Sequence, residues 1–267
     1  MRWQKAALAA AAALAWVGPA AAASFVLTAQ RVDLDAERGV VRAWQVRITD
    51  GLRVVTAPEL GLDRGLGVGT LSGGVAATGP EGQLRGRTAR IRFTRGLELL
   101  QVEAEGDARL RQGGWTLSAD WVRLDVRSGV ATAQGRPARL EGEQVTATGS
   151  RVVYRARQEE AELESPARFE TQEGALEGTS ATFRLRGKTA RVAGPVEIRF
   201  AAGRGAAQEA VADFARGRVD LVGQVRVRWR SSVLEGQRVV VWYREGRVLV
   251  EGPSRMRVEE EDLPRTP

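Results

Sequence analysis

Apolar and polar residues alternate along most of this chain with a period of two. Val225, Val227 and Trp229 alternate with Arg226, Arg228 and Arg230, and Val196, Ile198 and Phe200 alternate with Glu197 and Arg199. Ile91 and Phe93 flank Arg92 in the same way. A period of two puts one set of side chains on each face of a strand, so each segment predicts a strand with one apolar and one charged face. Only Ala206 to Ala215 is Ala-rich enough to fit a helix as well.

The strands recur in register. An apolar–any–apolar triplet starts at Val46, Val75, Ala108, Ala138, Ala167, Val196 and Val225, and a last, weaker copy is Ser254-Arg255-Met256. The steps between first members are 29, 33, 30, 29, 29, 29 and 29 residues, read directly from those numbers. A fixed period of this length is the mark of a repeat architecture. The single long step predicts an insertion around Gly79 to Gly86. Each repeat reads as two strands joined by a tight turn, clearest at Arg244-Glu245-Gly246. The turn recurs at Gly39, Gly96, Gly129, Gly187 and Gly217, where glycine supplies a positive φ.

A second set of glycines, Gly73, Gly106, Gly194, Gly223 and Gly252, lies two residues before a triplet. A third set, Gly86, Gly149, Gly178 and Gly236, lies in the preceding strand. Glycine inside a strand marks a bend or bulge. A bend repeated in every rung folds the stack along a common crease, and the two halves then face one another across an apolar interior. The predicted fold is all-β: an elongated β-jellyroll of about sixteen stacked antiparallel strands from eight degenerate repeats, spanning 24–258.

Both ends have a different character. Arg2 and Lys5 precede the Ala-rich run Ala6–Val17, then Gly18-Pro19 and Ala20–Ala23. That order is a secretory signal peptide over 1–23, cleaved near Ala23, and it places the mature chain in the periplasm. Retention of the segment as an anchor is the alternative. At the other end Glu259-Glu260-Glu261-Asp262, with Pro264 and Pro267, predicts a disordered acidic tail over 259–267 that could also cap the last strand.

Composition narrows the chemistry. The 267 residues contain no Cys and no His. Thiol nucleophiles, disulfides and imidazole bases are therefore absent, and no cofactor or metal is expected. Carboxylates that an enzyme of this architecture would need, such as Glu159, Glu160, Glu162, Asp33 and Asp35, read as a solvated face or turn, so no catalysis is expected. The formal charge is +7, and only Lys5 and Lys188 are Lys. The Arg residues are spread over every strand instead of clustering, which argues against nucleic acid. The dense charge on the polar face and the missing aromatic girdles argue against a membrane barrel.

The unit Leu234-Glu235-Gly236 through Tyr243, followed by Val248-Leu249-Val250-Glu251-Gly252-Pro253-Ser254-Arg255-Met256, resembles the OstA-like repeat of the periplasmic lipopolysaccharide-transport family: LptA, LptC and the amino-terminal domain of LptD. Leu176-Glu177-Gly178 to Phe200 is a second good copy, and the first two units, to about Pro80, are the poorest. The resemblance covers Ser24 to about Val258. It looks most like the LptA branch, with an LptC-like anchored component as the alternative. It implies a jellyroll that cradles acyl chains and carries lipopolysaccharide or a related envelope glycolipid toward the outer membrane.

On that resemblance the lipid-binding lane comprises Ile91, Phe93, Phe183, Leu185, Val196, Ile198, Phe200, Val225, Val227, Val248, Val250 and Met256. Alternation alone fits a closed, dry core equally well, and with it a structural filament of the envelope. The expected partners are the glycolipid and other Lpt-type components, joined by strand pairing at the open ends near Phe25 and Val258. A head-to-tail homo-oligomer would use the same edges.

Overall fold

A computed structural model of the chain describes residues 26–49, 51–80, 82–94, 99–230 and 232–257. The expected leader and acidic tail lie outside these residues, as do Phe25, Gly96 and Val258. Every regular element described is a strand. The chain divides into two compact units. One takes in the described residues up to Gly113 together with Ser118–Val130; the other takes in Gly114–Leu117 and the residues from Ala131 onward.

In the first unit lie β1 (Val26–Thr28), β2 (Arg31–Asp35), β3 (Val40–Thr49), β4 (Val54–Asp63), β5 (Val68–Ser72), β6 (Val75–Gly79), β7 (Gly82–Gly86), β8 (Thr88–Phe93) and β9 (Leu99–Gln112). The boundary between units falls within β10 (Trp115–Asp125). The second unit continues with β11 (Val130–Glu141), β12 (Thr146–Arg155), β13 (Glu160–Glu170), β14 (Gly174–Arg184), β15 (Thr189–Phe200), β16 (Gly203–Asp213), β17 (Arg218–Trp229), β18 (Ser232–Trp242) and β19 (Arg247–Arg257). The Ala-rich segment from Ala206 is thus part of strand β16.

The nineteen strands make sixteen rungs, because three rungs are broken in two. β1 and β2 both pair with β3, β5 and β6 both pair with β4, and β7 and β8 both pair with β9. In the second unit β12 to β19 pair consecutively and antiparallel, and each pairing slips once near its middle. The slips fall between Ala193 and Val196 on β15, and between Val222 and Val225 on β17, immediately before a triplet.

This is the common crease. Gly73, Gly106, Gly194, Gly223 and Gly252 all have positive φ, between 73 and 91°. An extra residue beside a left-handed glycine is a bulge that bends its strand. The third glycine set works by close approach instead. A Cβ on Gly149 would stand 2.7 Å from the Glu164 carbonyl oxygen, and one on Gly178 would collide with Val192. In β11 and β13 the crease carries Pro137 and Pro166, each after a cis peptide bond.

Two positions differ from the sequence reading. The extra residues of the 33-residue step do not lie at Gly79–Gly86, where Gly79 pairs with Gly82 as tightly as Phe200 pairs with Gly203. They lie between Arg92 and Gln101. Thr88 faces Glu105 there, whereas the corresponding pair in the second unit is Glu209 with Val222. The triplet spacing measures only the length of a rung pair and cannot say which of its two ends is longer. The β14–β15 turn also takes its positive φ at Lys188, at 49°, and not at Gly187. The equivalent last position of the preceding turn is Glu159, at 52°.

Candidate functional site: the apolar interior between two rims

Strand alternation delivers the triplets inward. The first and third residues of the triplets starting at Val46, Ala108, Ala138, Ala167, Val196 and Val225 are buried. The half-strands on the other side of the crease bring a second apolar row, such as Val219 and Leu221 on β17. The halves meet. Phe169, from beyond the crease on β13, lies 5.4 Å from Phe183 and 5.5 Å from Phe214, ring centre to ring centre. Trp115 closes on Phe183 edge-on at 5.3 Å. Edge-to-face and tilted contacts at this spacing add to the burial of the rings.

Two rims border this interior in the second unit. One is made of the connections 156–159, 185–188, 214–217 and 243–246, and the other of 142–145, 171–173, 201–202 and the turn after Trp229. On the first rim Leu185, Phe214 and Tyr243 occupy equivalent places. Each donates its backbone N–H to a carbonyl of the previous turn: Leu185 to Glu159, Phe214 to Lys188 and Tyr243 to Gly217. The rims are tied to each other. Lys188 Nζ donates to Gln144 Oε1 at 3.1 Å, and Arg244 pairs with Glu173 at 3.3 Å. Arg244 also donates to the carbonyls of Phe214 and Ala215.

Beneath Arg244 lies a cavity of about 20 Å³, lined by Phe169, Leu176, Ile198, Phe200, Phe214, Val219 and Tyr243, with Thr171 and Arg199 at its margin. That volume suffices for about one water. Tyr243 lines the cavity, and its hydroxyl is buried and makes no hydrogen bond among the described residues. Burial, with help from the Glu173 and Asp213 carboxylates and against Arg244, pushes its phenol above the ordinary value of 10.0. It therefore stays a neutral donor at physiological pH.

Among the residues expected to form the lane, Ile91, Phe183, Leu185, Val196, Ile198, Phe200, Val225 and Val227 are buried. Phe93, Val248 and Val250 are half-buried. Met256 is 60% exposed on β19, where Leu249 is 45% exposed. Ile198 and Phe200 share the cavity under Arg244. Val225 borders a wide, shallow groove of about 540 Å³, otherwise mostly polar, at the crease of β17 to β19. Ile91 lies in the first unit, near but outside a separate cavity of about 30 Å³ bordered by Val55, Leu84, Val102, Leu110 and Leu124. The sequence reading missed Leu176, Phe214, Val219 and Tyr243. The 29-residue step from Leu185 to Phe214 to Tyr243 was the available signal.

The charged face is occupied by ion pairs. Glu159 pairs with Arg186 at 2.8 Å and Glu162 with Arg155 at 2.8 Å, which leaves these carboxylates on a solvated surface. Among the described residues no group of three or more His, Cys, Asp or Glu could hold a metal.

No family model matches this chain and no curated protein is similar to it. Among solved structures it is similar to the crystal structure of LptH, the LptA-homologous periplasmic component of the lipopolysaccharide transport device from Pseudomonas aeruginosa. The identity is 14%, the TM-score 0.23, and the match covers 64% of this chain and 82% of that one.

Proposed function

We propose that this chain is a periplasmic lipid carrier that holds acyl chains of lipopolysaccharide or a related envelope glycolipid between its rims and passes them toward the outer membrane. The observation that carries this reading is the apolar row that repeats from rung to rung and reaches the surface at β19. There Val248, Val250 and Met256 continue the inward positions of earlier rungs but are only partly covered. Each methylene moved out of water into such a row gains roughly 0.8 kcal/mol, so a saturated chain needs no polar anchor to stay bound. A row of aliphatic side chains also presents low barriers to sliding. Loading requires the rims to part, since Ile198 is only 3% exposed in the closed form. The exposed outer edges of β1, β2 and β19 supply the strand-pairing surfaces by which further transport components, or further copies, would extend the row.

The tightness of the interior favours a second reading, an envelope scaffold with a dry core. Photo-crosslinking in the native host separates the two. A photoreactive residue at Ile198 should yield a lipid adduct, and the same residue at Arg191, on the outer face of the same strand, should yield none. An exported, folded protein without an adduct at Ile198 would leave the scaffold.

A further inference from the structure

On the outer face beside the cavity under Arg244, three arginines stand in one row. Arg199 on β15 pairs in register with Arg204 on β16, and Arg204 pairs with Arg228 on β17. Residues directly opposite in antiparallel strands share a face, about 4.8 Å apart from strand to strand. All three are exposed. Like charges directly opposite are unfavourable. Elsewhere on this unit several facing positions hold opposite charges, Arg168 with Glu177, Arg226 with Glu235 and Arg238 with Glu251, although Glu177 also faces Glu197. In this row only Arg199 has a carboxylate, Glu197 at 3.6 Å. Arg204 and Arg228 have none among the described residues.

The row lies where an amphipathic ligand would change character. Arg199 lines the cavity, and Ile198 and Phe200 on either side of it are buried in the interior. Tyr243, whose buried hydroxyl is unpartnered, lines the same cavity. A buried donor without an acceptor is costly, and a carbonyl carried in on an apolar chain would match it. An apolar wall and a neutral donor thus lie at the cavity, and the cationic row lies on the outer face beside it.

We propose that this part of the rim is a binding site for the polar–apolar junction of a phosphate-bearing acyl lipid. The tail lies against Ile198 and Phe200, an ester or amide carbonyl accepts from Tyr243 Oη, and the phosphate is held by Arg199, Arg204 and Arg228. Guanidinium forks suit phosphate oxygens, and charge-assisted bonds are roughly twice as strong as neutral ones. This rests on the lipid-carrying reading and adds to it a fixed station for an anionic headgroup.

Binding of dioctanoyl phosphatidic acid and of dioctanoylglycerol to the full chain tests it, with inorganic phosphate as competitor. The wild type should prefer the phosphatidic acid by about tenfold. R204Q/R228Q should erase that preference and leave the affinity for dioctanoylglycerol in place. Y243F should weaken both lipids alike by several-fold, since both carry ester carbonyls. R42Q/R47Q, with the same change in net charge, should leave the preference intact. A preference unchanged in R204Q/R228Q, or lost equally in R42Q/R47Q, overturns the site. Full displacement of the lipid by inorganic phosphate would make the row a free-anion site and overturn it too. Binding of neither lipid to the wild type would instead sink the lipid-carrying reading itself, whereas binding of both without preference sinks only the station.

Discussion

In the second unit each rung is one strand of ten to twelve residues with a single slip at the crease. In the first unit three rungs are broken outright at the same place. Between β5 and β6 two consecutive glycines, Gly73 and Gly74, both have positive φ, whereas Gly194 stands alone in β15. The pair ends the strand there, although the breaks between β1 and β2 and between β7 and β8 contain no left-handed residue. The cores differ in parallel. The second unit packs Phe169, Phe183 and Phe214 together, while the largest fully buried side chains of the first are Leu71, Ile91, Leu110 and Val122. A clustered aromatic core and unbroken rungs go together because a continuous strand holds residues from both sides of its crease in fixed register.

The largest effect should come from the cores. Phe183→Ala removes the ring that touches Trp115, Phe169 and Phe214, and should cost about 3–5 kcal/mol; Ile91→Ala should cost about 2–5 kcal/mol. If the units unfold as separate bodies, urea melts will show two transitions and each variant will move only its own. A single transition shifted by both variants would mean that the packing boundary is not a cooperative one.

A smaller contrast lies at the creases. Gly194→Ala meets both a positive φ of 91° and the Thr179 side chain, whereas Gly74→Ala meets a φ of 99° with open space around the new methyl. Backbone strain alone is about 1–2 kcal/mol, so Gly74→Ala should stay near that value and Gly194→Ala should exceed it. Equal losses would show that the crease of the second unit can shift to admit a side chain.

The smallest effect concerns acid. The Asp125 carboxyl lies below its ordinary value of 3.8 because the Ser128 backbone N–H and hydroxyl both donate to it. A carboxyl lowered on folding stabilises fully above its unfolded pKa, about 4, and that contribution is lost as pH falls through the folded value. The group is largely in water, so less than about 1 kcal/mol is at stake. Asp125→Asn should flatten the acid limb of the first unit's stability and leave that of the second unchanged, as followed by urea melts at stepped pH.

Alternation and the repeat made most of this architecture legible. Val196, Ile198 and Val227 are inward as the period of two requires, and the pre-triplet glycines bend the rungs as their placement suggested. Three things were not legible. The breaks in the first unit depend on whether a bend exceeds what the ladder tolerates, which residue type does not reveal. Lys188 holds a left-handed turn position one place after the glycine that would have suited it, because turn length is set by the pairing of Arg184 with Thr189. The cavity under Arg244 needs residues from rungs far apart in sequence. Glu173 and Arg244 meet only because the rims do, and alternation carries no information about which turn faces which.

The backbone bonds from Leu185 to Glu159, Phe214 to Lys188 and Tyr243 to Gly217 tie each turn only to the one before it. A rung pair therefore carries its own backbone attachments to its neighbour, while rim contacts such as Arg244 with Glu173 reach further. Duplicating or deleting one 29-residue segment would lengthen or shorten a unit by two strand spacings, about 10 Å, with this turn-to-turn bonding kept. Reach is thus a property that tandem duplication can adjust in single steps, and a gene built this way could follow a change in the distance to be spanned without reinventing its fold.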